Sequence, residues 1–341
     1  MSFTPRPRGL LAIAFFLFLV PSGARATESQ SYTAFSEGKY LTALKLAQQE
    51  AAQGSKEAYT LMGEIYEEGL GVAQDYSKAA DNYAKAADLG DANAQFSLGT
   101  LVAEGRGVKK DLRIAADLFE RAASAGNPSA QYNVALIYLN GNGRPRSEAK
   151  AAEWMQKSAA LGNPQAEYDL SAFYQFGRGV PIDKAKAAEW LGRAADAGLP
   201  DAQVEYGIML FKGEGVAADQ AKAAKLFRLS AEQGNAVAQN RLARLYANGV
   251  VVKADPVQAA KWHLLARSVG VSDFTLDLML AKLTKEQRAE AERLANAWRD
   301  STDLGGGAGL GPGVVTETLA APQGTSSPQA GSASSIAPAR K

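Results

Sequence analysis

The chemistry open to this chain is bounded by its nucleophiles and metal ligands: His263 is the only histidine and there is no cysteine. Without thiols there is no cysteine nucleophile, no disulfide and no thiolate-held zinc, and one imidazole is a poor start for a metal site. His263 follows Trp262, where packing or a helix face accounts for it better than a role as base or ligand. Paired carboxylates are the next source of acid–base chemistry. Asp75, Asp111, Asp183, Asp219 and Asp255 recur, but at steps that spread them along the chain instead of bringing two to one bond. Gly105-Arg106-Gly107 and its counterparts look like fragments of phosphate loops, yet no strand precedes them and no Gly-Lys-Ser/Thr follows. No catalytic residue, cofactor or metal is therefore expected, and binding is the chemistry that remains.

The elements that would carry a binding surface repeat. Ala58, Ala94, Ala130, Ala166, Ala202 and Ala238 are spaced 36 residues apart without slippage, and glycines return with them at Gly90, Gly126, Gly162, Gly198, Gly234 and Gly270. Such a period marks stacked units, each touching its neighbours. Ser55, Asp91, Asn127, Asn163 and Asn235 are good N-caps for the first helix of each unit, with Leu199 the exception, and Pro128, Pro164 and Pro200 suit its first position. A glycine pair such as Gly69 and Gly71 reverses the chain. The recurring aspartates, replaced once by Ser147, cap the second helix. Along that helix small pairs such as Ala187-Ala188 precede bulky residues such as Trp190, which is placed in the seam between units.

These motifs, read in order as Ala, Leu-Gly, Tyr, Gly-x-Gly-Val, Asp, Lys-Ala, Trp, Lys-Ala-Ala and Gly, resemble the Sel-one-like repeat (SLR) family of the tetratricopeptide superfamily over about residues 55–270. The resemblance implies an all-α fold, an α-solenoid of six antiparallel helix pairs, and work as an adaptor in signalling or protein assembly. Ala135, Ser171 and Ala243 depart from the family glycine at Gly63, Gly99 and Gly207, and Val251 replaces the second loop glycine of the last unit. In tetratricopeptide-like stacks the first helix lines the concave side. On that analogy the binding residues are Phe96, Tyr132, Tyr168, Phe176 and Phe211, with Glu64, Glu67 and Glu68 at one end and Lys212 and Arg244 at the other. Apolar residues between charged ends suit a protein or peptide partner, with a few central aromatics carrying most of the affinity.

The flanks read differently. Arg6 and Arg8, the apolar run from Leu10 to Val20 and Ala24-Arg25-Ala26 make residues 1–26 a secretory signal cleaved after Ala26. That run is too short to span a bilayer, which takes about 20 apolar residues. A periplasmic or secreted protein is expected, with no membrane span once the signal is removed. Residues 27–54 form a partial, capping repeat; 271–300 form C-terminal capping helices, with Asp273 as one cap and Thr284 to Gln287 as a capping box; and 301–341 form a disordered low-complexity tail. The formal net charge of +1 falls slightly below zero without Arg6, Arg8 and Arg25, which does not favour nucleic acid. The leading expectation is an exported, non-enzymatic scaffold, regulating an envelope signalling or assembly partner. Its alternatives are an enzyme, such as the β-lactam hydrolase activity reported for cysteine-rich relatives, and a secreted effector directed at host cells.

Overall fold

The computed structural model describes residues 29–304, and these form sixteen α-helices with no strand among them. The signal assigned to residues 1–26 and the tail beyond 304 lie outside the described residues. A first pair, α1 Gln30–Ser36 and α2 Tyr40–Ala52, is followed by α3 Lys56–Glu68 with α4 Tyr76–Asp88, α5 Ala92–Glu104 with α6 Leu112–Ser124, and α7 Pro128–Asn140 with α8 Glu148–Ala160. The series continues with α9 Pro164–Phe176 and α10 Lys184–Asp196, α11 Pro200–Lys212 and α12 Gln220–Glu232, and α13 Ala236–Asn248 and α14 Pro256–Ser268. It closes on α15 Phe274–Ala281 and α16 Lys285–Leu304, whose last residues, 298–304, group apart from the body that ends at Ala297. From α1 to α15 each helix packs on the next in the chain. That is the solenoid of helix pairs the repeat implies.

Local chemistry sets the ends of these helices. Ser55, Asp91, Asn127, Asn163 and Asn235 each accept the N–H of the residue three positions on, while Leu199 caps α11 with no side-chain bond. Asp75, Asp111, Ser147, Asp183, Asp219 and Asp255 do the same for the second helices. Thr284 and Gln287 form the reciprocal box, with the Thr284 N–H donating to Gln287 Oε1 at 3.1 Å and the Gln287 N–H to Thr284 Oγ1 at 3.2 Å. The helix they open runs to Leu304, one turn and more past the residue 298 expected from the pattern.

The second loop glycine does more than turn the chain. At Gly107 a side chain would run into the backbone of Tyr76 and Ser77 in the preceding pair, and Ser77 Oγ donates to the Gly107 carbonyl at 3.0 Å. Val251 holds the equivalent place in the last unit at φ 65, and is the one non-glycine residue with positive φ among the described residues. The turn survives its lost glycine as backbone strain in a β-branched residue. Val251→Gly is expected to raise stability by about 1 kcal/mol. A lower midpoint in urea would mean that the valine side chain contributes more than the strain costs.

Packing within each pair follows a size rule. A Cβ at Gly63, Gly99 or Gly207 would press on the ring of Tyr83, Phe119 or Phe227 of the facing helix. Where Ala135, Ser171 and Ala243 replace glycine, the residues matching those rings are Met155, Leu191 and His263. A larger residue on the first helix thus goes with a non-ring or smaller ring on the second, and helix closeness is kept. His263 is fully buried, with Nε2 2.9 Å from Asp277 Oδ1, so it is a packing residue joining α14 to α15. Between pairs, Gln95, Gln131, Gln203 and Gln239 donate to the carbonyls of Ala87, Ala123, Ala195 and Ala231 at 3.1–3.3 Å, satisfying the end of one second helix from the next first helix. Trp190 is only half-buried: it packs against the core of the seam and has the Arg193 guanidinium 4.5 Å from its ring.

Candidate functional site

The first helices, α3, α5, α7, α9, α11 and α13, carry every residue assigned to binding from the sequence. Two of the aromatics are structural members of that face. Tyr132 is 9% exposed and its hydroxyl donates to Asp169 Oδ2 at 2.8 Å; the Tyr168 hydroxyl donates to Glu205 Oε1 at 2.6 Å. Each bond steps from one first helix to the next, because the acceptor lies 37 residues after its donor. Burial pushes the Asp169 and Glu205 carboxyls above the usual carboxylate range, with the tyrosine bonds pulling the other way. Both phenols are pushed up in turn by burial and by the carboxylates they face. Tyr132 therefore does not stand open as an anchor. The repeat determines which helix Tyr132 lies on, while its depth depends on how closely α9 packs.

Phe96 is half-buried, its ring 5.7 Å from that of Phe119. Phe176, at the C-terminal end of α9, is 64% exposed. At the acidic end, Glu68 is exposed while Glu64 and Glu67 are partly sunk, and burial raises both of their carboxyls. Neighbouring glutamates add to the rise at Glu64. At Glu67 a 2.9 Å bond from the Tyr83 hydroxyl and the Arg106 guanidinium oppose it.

At the other end Arg244 is committed: its Nε donates to Asp273 Oδ2 at 2.6 Å, beside Asn240 Nδ2 at 3.1 Å. Burial alone would raise the Asp273 carboxyl, but these bonds and the backbone N–H of Leu276 hold it below the usual range. Through its other oxygen Asp273 caps α15, so Arg244 ties the last repeat to the C-terminal helices.

Phe211, Lys212 and Arg244 converge on one pocket of ≈ 210 Å³ between α11 and α13, with Phe227 of α12 and Leu245 in its lining. Sequence reasoning did not reach Arg241, which also lines it. Among the described residues no cluster of three or more metal-ligating side chains occurs, and no helix is long and apolar enough to cross a membrane.

The comparisons with known proteins agree with this architecture. The Sel1 repeat model matches residues 56–91, 92–127, 128–163, 164–199, 200–235 and 236–270. The crystal structure of a Sel1 repeat protein from Oxalobacter formigenes is similar at 27% identity and a TM-score of 0.60, covering 71% of this chain and 97% of its own. A protective antigen present in uropathogenic Escherichia coli strains, displaying an SLR fold, is similar at 28% identity and a TM-score of 0.51 over 82% of this chain and 69% of its own. No curated protein matches the chain. With six consecutive units recognised across a body of stacked helix pairs, the chain belongs to the Sel1 repeat family.

Proposed function

We propose that this chain is an exported, non-catalytic scaffold that holds a protein segment along the side formed by its first helices, in the service of an envelope signalling or assembly partner. Sel1 repeat proteins are generally protein–protein interaction scaffolds and typically not enzymes. The observation that carries the reading to this side is the convergence of Phe211, Lys212 and Arg244 on one pocket, with the exposed Phe176 on the preceding first helix. An apolar recess rimmed by charge is the anatomy of a binding surface. Tyr132 and Tyr168 belong to the same face, where their bonds hold adjacent first helices in register.

A photo-crosslinking phenylalanine placed at position 211 is expected to capture a polypeptide from envelope extract that the same group at Asp196, on a second helix, does not. Equal capture from both positions would overturn the assignment of the face. The export part is read separately: a mature chain beginning at Thr27 in the periplasmic or extracellular fraction is expected, and an intact N-terminus in the cytosol would rule it out.

A further inference from the structure

The pocket between α11 and α13 breaks the pattern of the two steps before it. Tyr132 reaches Asp169 and Tyr168 reaches Glu205, each acceptor 37 residues on. At the next step the donor position is Val204 and the acceptor position is Arg241. Valine has no hydroxyl to give, and the acid is replaced by an exposed cation. Arg241 makes no ion pair or hydrogen bond among the described residues, whereas Lys212 lies 3.5 Å from Glu214 and Arg244 is bonded to Asp273. No carboxylate lines the pocket. The ladder that satisfies its own charges in the middle of the chain ends here in a positive group with nothing to meet it.

Beneath that group the recess is apolar, lined by Ile208, Phe211, Phe227 and Leu245. Its volume of ≈ 210 Å³ exceeds the roughly 150 Å³ cavity that takes up benzene, so one leucine or phenylalanine side chain fits. The guanidinium fork of an arginine matches a carboxylate through two parallel N–H bonds. We propose that this pocket anchors an acidic peptide segment, one apolar side chain entering between Phe211 and Leu245 while a carboxylate one or two residues away pairs with Arg241. The proposal rests on the reading of this side as the binding face and names the partner's chemistry.

Random heptapeptides displayed on phage and selected against the full chain are expected to converge on an apolar residue flanked by Asp or Glu. A fluorescein-labelled peptide from that selection should bind Arg241→Glu at least tenfold more weakly than the unaltered chain, Phe211→Ala comparably so, and both losses should be set against unchanged melting midpoints. If Arg241→Glu fails to fold, Arg241→Gln supplies the same comparison through loss of charge alone. Selected peptides without an excess of acids, or a selected peptide held within twofold by Arg241→Glu or Arg241→Gln, would overturn the proposal. Binding that depends on Phe176 but not on Arg241 would leave the face intact and remove this pocket from it. Selection of no peptide at all would overturn the pocket and the face together.

Discussion

Gly63→Ala is expected to lower stability by about 2 kcal/mol, although alanine is the better helix former by about 1 kcal/mol. The added methyl group would meet the ring of Tyr83 well inside van der Waals contact. Tyr83 is buried, and its hydroxyl is fixed on Glu67 at 2.9 Å, so the ring cannot retreat without breaking that bond. Overpacking a close-packed seam forces off-rotamer side chains or moves backbone. The third repeat supplies the control, since Ala135 stands there with Met155 in the place of the ring. In a Tyr83→Met background the same Gly63→Ala change is therefore expected to raise the urea midpoint, because the methyl group fills space the ring has left. A reversal of sign between the two backgrounds is a coupling that independent sites cannot produce. If Gly63→Ala is neutral or stabilising beside Tyr83, the size rule of the helix pairs is wrong.

The parts of the fold legible from the sequence are those made by short-range chemistry. Asp91 caps α5 and Gly105 ends it in the left-handed conformation, and both effects are complete within a few residues of the helix end. The period then supplies the stacking, because helices that repeat at a fixed interval can bury their apolar stripes only against copies of themselves. The binding face was less legible for a geometric reason. Alignment at 36 compares equivalent positions, so a bond joining Tyr132 to Asp169 at a separation of 37 falls between the columns. Tyr132 and Phe176 lie on the same side of a first helix in the repeat pattern, yet one is sunk against the next repeat and the other stands in solvent at the helix end. The repeat places Arg244 only by its alignment with earlier first helices, and Asp273 lies beyond the last unit, so their pairing has no counterpart in the period. A carboxylate has two oxygens, and Asp273 uses one for that pairing and one for its cap.

Tyr132→Ala is expected to cost about 3–5 kcal/mol, the range for deleting a buried aromatic side chain. The more informative change is Tyr132→Phe, which keeps the ring and removes only the donor to Asp169. Asp169 keeps the 3.3 Å bond from Gln165 Nε2, but taking a donor from a part-buried carboxylate costs about 1–3 kcal/mol, and the pH at which that cost falls follows from the titration of Asp169. Burial raises its carboxyl above the unfolded value, while the bond from Tyr132 lowers it. A group whose folded value is raised binds more protons in the native state, so its contribution is fully present below the unfolded value and is lost as pH rises through the folded one. Removing the Tyr132 hydroxyl takes away the pull in the lowering direction, and the loss then extends to higher pH. Tyr132→Phe should consequently lie close to the unaltered chain in mildly acid urea melts and fall further below it towards neutrality. Asp169→Asn, which cannot titrate, should flatten that difference in the double variant. A Tyr132→Phe penalty that is the same across this range would mean that the phenol and the carboxylate are not coupled, and that the contact across α7 and α9 is one of packing alone.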